Sequence, residues 1–178
     1  MPELTTPRLH LRSFQDDDLD AFAILTANPD FMRFSGGGGL DRERTAALLE
    51  RVMVRTRIGL PALFAVFDRA EAKLIGYCGF LPQTVDGVEE LEIGYRLHPN
   101  WWGRGLATEA ATAVRDYAFG ELGRERVISL IHVDNTASRR VVEKLGMRLE
   151  KHTDFKGFPT AVFALTRGDC AQRPSAAR

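Results

Sequence analysis

The chain holds 178 residues, of which 44% are hydrophobic and 27% charged, a balance that belongs to a folded domain and excludes disordered or collagen-like classes. Twenty-four Lys and Arg offset twenty-four Asp and Glu, so no net positive field draws in nucleic acid or an anionic membrane. No stretch approaches the roughly 18 apolar residues of a membrane span, and Met1 to Arg12 lacks an apolar core followed by a cleavage site; with two lone cysteines, Cys78 in an apolar run and Cys170 in a polar tail, the expectation is a cytoplasmic protein.

In chain order, Leu9 and Leu11 alternate with Arg8, His10 and Arg12 as a short strand, and Ser13-Phe14-Gln15-Asp16 has the spacing of a capping box. Leu19, Phe22, Ala23 and Thr26 form the inner stripe of the helix that follows, and Asn28-Pro29 stops it. Gly36 to Gly39 reads as a flexible loop. Asp41 caps a second helix with Leu49, Val52, Met53 and Thr56 on its inner face, and Gly59 and Pro61 end it. From Leu63 the period changes, and the runs 63–67, 74–81 and 91–97 predict three strands joined by turn residues. A helix follows from about Leu106, then a strand over 127–133 and a short helix over 136–145, with Gly146 at its left-handed end. Strands over 148–155 and 160–166 close a single domain of residues 1–167, and 168–178 form a flexible tail.

Chemistry concentrates between Leu91 and Ala110. In the strand, Leu91, Ile93, Tyr95 and Leu97 face one way and Glu92, Gly94 and Arg96 the other, so the carboxylate stands beside a side-chain gap at Gly94. Gly103 and Gly105 then open a helix whose free N–H groups favour a phosphate, although a tight turn without a ligand accounts for the glycines equally. A dinucleotide fingerprint fails because Thr108 stands where a third glycine belongs, and no Gly-Lys-Ser/Thr follows as a P-loop demands. The four histidines are scattered without carboxylates or cysteines at ligand spacing, so no metal is expected. Trp101 and Trp102 either stack on a ligand or pack at an edge.

The segment from Leu91 to Ala111, with Ile131 to Ser138 and Lys144-Leu145-Gly146-Met147, resembles the GNAT superfamily of acetyl-CoA-dependent N-acetyltransferases. Within it, Thr6-Pro7-Arg8-Leu9-His10-Leu11-Arg12, the Trp102-to-Gly105 loop and the Asn135/Ser138 pair resemble the ribosomal-protein N-terminal acetyltransferase (RimJ/RimL) branch. The resemblance implies a mixed α/β fold of order βααβββαβαββ, with a largely antiparallel sheet that changes partner at the Glu92 strand and helices on both faces. It implies acetyl transfer from acetyl-CoA to a primary amine by direct attack, in a monomer or homodimer.

By the same resemblance the cofactor loop falls on Trp102, Gly103, Arg104, Gly105, Leu106 and Ala107, with Thr108 just beyond. Trp102 replaces the family's Gln or Arg, and Arg104 is the residue that supplies charge instead. The Leu97 N–H becomes the oxyanion donor, Asn135 the pantetheine contact and Ser138 the counterpart of the family's tyrosine acid. Glu92 becomes the general base. Neutralising a lysine amine costs about 4 kcal/mol near pH 7.5 and an α-amine well under about 1, so lysine needs that base more. Each assignment has a structural alternative: Glu92 pairing with an arginine, Arg104 as a solvated loop residue, Asn135 as a helix cap and Ser138 as a first-turn residue. The acceptor is a protein N-terminus or a small amine, chosen by the loop 31–40 and the turn 154–159; a CoA-binding sensor without turnover is the rival from another class.

Overall fold

The computed structural model describes residues 1–35 and 38–171; Gly36 and Gly37 of the glycine run, and residues 172–178 of the tail, lie outside the described residues. A two-residue β1 (Leu4–Thr5) and β2 (Leu9–Ser13) lead into α1 (Leu19–Ala27), α2 (Pro29–Met32) and α3 (Arg42–Arg57). Then come β3 (Leu63–Asp68), β4 (Lys73–Val85), β5 (Val88–Leu97), α4 (Leu106–Gly120), β6 (Arg126–His132) and α5 (Thr136–Leu145). The chain ends in β7 (Arg148–Phe155), β8 (Phe158–Thr166) and a short α6 (Arg167–Ala171).

The strands form one eight-stranded sheet in the order β1-β2-β3-β4-β5-β6-β8-β7. Every neighbouring pair is antiparallel except β5 and β6, which are parallel and meet at the single register pair Glu92–Ile128. The expected change of partner at the Glu92 strand is therefore present, and beyond it β5 and β6 diverge. Alternation along the strands feeds two cores. Phe64 and Val66 of β3 join α4 and α5 residues such as Ala110, Ala111, Val114, Val142 and Leu145 on one face. Leu63 and Ala65 turn to the other face, under Phe22, Leu25, Phe31, Leu49, Val52 and Met53 of α1 to α3.

The local signals act largely where expected. Asp41 accepts the Arg44 N–H at 2.8 Å as the cap of α3, and Gly146 closes α5 at φ 91°. The capping box before α1 is displaced, however. Ser13 still belongs to β2, and the box forms two residues on, where the Asp18 carboxylate accepts the Gln15 N–H at 2.8 Å and also pairs with Arg12 at 2.7 Å. His98 lies beyond the end of β5, where its ring accepts the Asn100 N–H at 3.3 Å. Part of the expected tail is helical, with Cys170 of α6 packed on the core.

Candidate active site

β4 and β5 form the longest hairpin, closed by Asp86 and Gly87 at φ 49° and 80°, the pair of left-handed residues that a two-residue type I′ turn requires. Its register sets the surroundings of Glu92. The side chain is 8% exposed, and its carboxylate accepts from Gln83 Nε2 at 2.8 Å and from the Leu130 N–H of β6. Gln83 Oε1 in turn accepts from Lys156 Nζ at 3.2 Å. Burial raises the Glu92 pKa to about 7, against the opposing pull of those hydrogen bonds and of Lys156 and Arg96. Among the described residues no arginine forms an ion pair with it. The cross-strand arginine, Arg126, binds Glu90 at 3.0 Å and Glu150 at 2.8 Å instead. Nor is the position at Gly94 empty: a Cβ there would lie 2.8 Å from Leu81 Cδ1, so Leu81 fills the expected gap.

A cleft of about 500 Å³ opens where β5 and β6 part, and it reaches from the α4 side, with Tyr95 and Leu97, through to Arg96, Phe31 and Phe34 on the other side. Its lining brings together Leu97, Trp102, Gly103, Gly105, Leu106, Ala107, Thr108, Asn135 and Ser138. It does not include Glu92, which reaches the split from the other side of the sheet, nor Arg104, whose guanidinium sits 5.0 Å from the Trp101 ring. Trp101 is packed in the core and Trp102 is half exposed.

The loop geometry follows from its glycines. Gly103 and Gly105 have φ of 74° and 78°, and Gly105 is the N-cap of α4 with no side chain capping it. The first N–H groups of the helix, on Leu106, Ala107 and Thr108, have no intrahelical acceptor and point with the positive helix end toward the cleft. Arg140 and Lys144 line the same cleft from α5, and neither makes an ion pair among the described residues. Backbone donors at a helix start beside two uncompensated cations are a donor set that fits phosphate groups.

The end of β5 is fixed by two bonds. The His98 N–H donates to the Ile75 carbonyl at 2.8 Å, which sets the phase of the ladder. Alternate residues, Tyr95 and Leu97, therefore turn their N–H groups away from β4 toward the gap left by β6. Trp102 Nε1 donates to the Leu97 carbonyl at 2.6 Å, so the residue that departs from the family pattern pins the strand end.

Across the cleft, Asn135 Oδ1 accepts the Ser138 N–H at 3.0 Å as the cap of α5. The Ser138 carbonyl accepts from the Tyr95 hydroxyl at 2.8 Å. The period of two gives Tyr95 only a shared face with Leu97; its phenol, with a pKa raised by burial, ties β5 to α5. Arg8 is the second residue whose place was not foreseen beyond its motif: it reaches the Arg104 carbonyl at 2.9 Å and Glu109 at 2.7 Å. The signal for both was side-chain chemistry at the right face, but their partners lie far off in sequence.

Comparison with known proteins agrees with this geometry. A family model described as an acetyltransferase (GNAT) domain matches residues 8–148. YnaD of Bacillus subtilis (strain 168), named an uncharacterized N-acetyltransferase, is 32% identical over 147 residues, 83% of this chain and 83% of that one. A GNAT-family acetyltransferase from Bacillus anthracis superposes with a TM-score of 0.80 at 28% identity over 94% of this chain and 99% of that one. RimL, a ribosomal L7/L12 alpha-N-protein acetyltransferase in complex with coenzyme A, shares the fold with a TM-score of 0.78 at 17% identity over 93% of this chain and 98% of that one. The chain belongs to the GNAT acetyltransferase family and is an N-acetyltransferase.

Proposed function

We propose that the cleft binds acetyl-CoA and that the acetyl group passes to a protein N-terminal α-amine by direct attack. The observation that carries this reading is the strand split that follows the Glu92–Ile128 pair. Beyond that pair β5 and β6 part, which opens β5 to a thioester on the α4 side and to an amine on the Glu92 side. The N–H groups from Gly103 to Thr108, with Arg140 and Lys144, hold the phosphates. Asn135, whose cap uses Oδ1, offers Nδ2 to the pantetheine arm. Arg104 acts through its backbone in the loop while its side chain packs on Trp101.

The Leu97 N–H stabilises negative charge developing on the thioester oxygen. Glu92 takes the ammonium proton through a water, a role its pKa of about 7 matches to neutral pH. The amine nitrogen then forms the C–N bond, the C–S bond breaks, and the departing thiolate takes a proton by way of the Ser138 hydroxyl or solvent. The N-terminal acceptor is supported by the Thr6-to-Arg12 motif and by the fold shared with RimL.

Titration calorimetry with acetyl-CoA and with the acetyl-free cofactor tests this. Micromolar binding is expected, together with acetylation of the first residue of a peptide panel read by mass spectrometry. Absence of binding overturns the assignment of the cleft.

A further inference from the structure

The Glu92 face of the sheet carries an aromatic row that acetyl transfer alone does not use. Along β6, Val127 and Ile131 belong to the α4 side, and Ile128 and Leu130 belong to the Glu92 side. His132 continues the Glu92 side one pleat beyond Leu130, about 7 Å along the strand. The Phe34 ring lies 5.5 Å from the His132 ring, and the Phe158 ring lies 6.4 Å from it on β8. Phe34 and Phe158 remain 40% and 43% exposed. Phe34 also lines the cleft beside β5, so the three rings in contact form an aromatic surface at the edge of that cleft, not an isolated surface residue.

The aromatic surface is built on firm supports. Phe158 follows Lys156 and Gly157, whose φ values of 54° and 83° make a second type I′ hairpin turn, and Asp154 Oδ1 accepts the Gly157 N–H at 2.8 Å. The Asp134 N–H donates to His132 Nδ1 at 3.2 Å, so the neutral ring carries its proton on Nε2. Across β5, Arg96 shares the face of Glu92. Its guanidinium lies 5.8 Å from the Phe31 and Tyr77 rings and donates to Met32 Sδ at 3.1 Å and to Ser35 Oγ. Among the described residues it meets no carboxylate. A half-buried guanidinium that lines a cleft with no carboxylate at ion-pair distance is a reader of oxygen.

We infer that this end of the cleft, between Arg96, Glu92 and the aromatic surface, binds an α-aminoacyl unit with a bulky apolar side chain. Its amine faces Glu92, its side chain lies on Phe34, His132 and Phe158, and its carbonyl or carboxylate oxygen meets Arg96. Only an α-amine has a side chain and a carbonyl branching from the same carbon, as these three contacts require. A polyamine fits poorly, because Arg96 and Lys156 repel a second ammonium, and a small side chain leaves the rings unfilled. The inference rests on the proposed transfer to an α-amine. The oxygen has two sources, a free amino acid or the first residue of a polypeptide, and their chemistry at Arg96 is shared.

The full chain is incubated with acetyl-CoA and, separately, alanine amide, phenylalanine amide, free phenylalanine, a peptide beginning with phenylalanine, and spermidine. We expect kcat/KM for phenylalanine amide to exceed that for alanine amide by about 10-fold or more, with spermidine lower still. Phe34→Ala and Phe158→Ala should each narrow that ratio to within about two-fold. Both side chains are exposed, and a ratio of two acceptors on one variant cancels any loss of folded protein. Preference for free phenylalanine over its amide and peptide identifies the carboxylate source, and the reverse preference the N-terminal source. Equal kcat/KM across the panel, or a ratio that neither variant changes, overturns the aromatic subsite and leaves N-acetyl transfer standing. Acetyl-CoA binding with turnover of none of these amines overturns both.

Discussion

Arg8 grips Glu109 from 101 residues away in sequence. Its Nε and Nη2 each lie 2.7 Å from Oε2, its backbone N–H reaches Oε1 at 2.9 Å, and its Nη1 donates to the Arg104 carbonyl at 2.9 Å. Thr6 adds its hydroxyl to Oε1 at 2.6 Å. The Thr6-to-Arg12 motif thus fastens the start of the sheet to the glycine loop and to the first turn of α4. Burial alone raises the Glu109 pKa, but the hydrogen bonds from Thr6 and Arg8 outweigh it and hold the carboxyl below its ordinary value.

Removing the clamp leaves an unpaired anion beside the phosphate seat. Arg8→Ala is therefore expected to weaken acetyl-CoA binding by about 10-fold, and to lower stability by only about 1 kcal/mol because Arg8 is half exposed. Arg8→Ala combined with Glu109→Ala should regain part of the lost affinity. Calorimetry on the three variants checks this, and independent, additive losses would remove the clamp from cofactor binding.

Glu92 makes a second prediction, in two readouts. Its folded pKa of about 7 lies above the ordinary 4.5. Stability from this group is thus fullest below pH 4.5, where both states are protonated, and is lost as pH rises toward 7, by about 3 kcal/mol in all. Glu92→Gln abolishes this component, so urea midpoints at pH 4 and pH 8 should converge relative to the parent. In turnover, kcat/KM of the parent should rise with pH through about 7, and the variant should lose this limb and fall by about 100-fold or more with acetyl-CoA affinity unchanged.

Gly105 separates backbone strain from ligand repulsion. A Cβ at this residue meets nothing closer than Arg8 Nη2 at 3.6 Å, yet φ is 78°. Gly105→Ala should cost about 1 kcal/mol of stability from the left-handed backbone and little affinity. Gly105→Glu adds an anion at the helix start and should weaken acetyl-CoA binding by about 10-fold beyond Gly105→Ala. Equal binding by the two variants would argue that no phosphate sits there.

What was legible in the amino-acid order was local. Asp41, Gly103, Gly105 and Gly146 announce caps and turns because the interactions involved span four residues or fewer. The period of two placed Glu92 and Arg96 on one face of β5, and the change of partner followed from family resemblance. Occupancy of space was not legible. Leu81 fills the gap at Gly94 only because the β4–β5 register sets Leu81 opposite Glu92, and Gln83 reaches the carboxylate for the same reason. Tyr95 with Ser138, and Arg8 with Glu109, are long-range pairs that no spacing rule encodes. The shift of the capping box from Ser13 to Gln15 has a nearby cause: β2 retains Ser13 in its ladder with Phe64, and Arg12 draws Asp18 into an ion pair.

The start of α5 yields the last prediction, because its cap divides labour between two residues that the sequence leaves entangled. Asn135 supplies the accepting oxygen and Ser138 only its backbone N–H, so the Ser138 hydroxyl has no part in the cap. Asn135→Ala should then lower stability by about 1 kcal/mol, whereas Ser138→Ala should leave it within about 0.5 kcal/mol. If the hydroxyl passes a proton to the leaving thiolate, Ser138→Ala slows turnover by about 10- to 1000-fold with acetyl-CoA affinity retained. Tyr95→Phe supplies the control. Tyr95 lines the same cleft, but its phenol donates to the Ser138 carbonyl and burial raises its pKa, which makes it a poor acid. Loss of that hydroxyl should lower stability by about 1 kcal/mol and slow turnover less than Ser138→Ala does. Measurement of kcat, acetyl-CoA affinity and unfolding midpoint on the three variants distinguishes these roles, and full activity in Ser138→Ala with a large loss in Tyr95→Phe would move the acid to Tyr95.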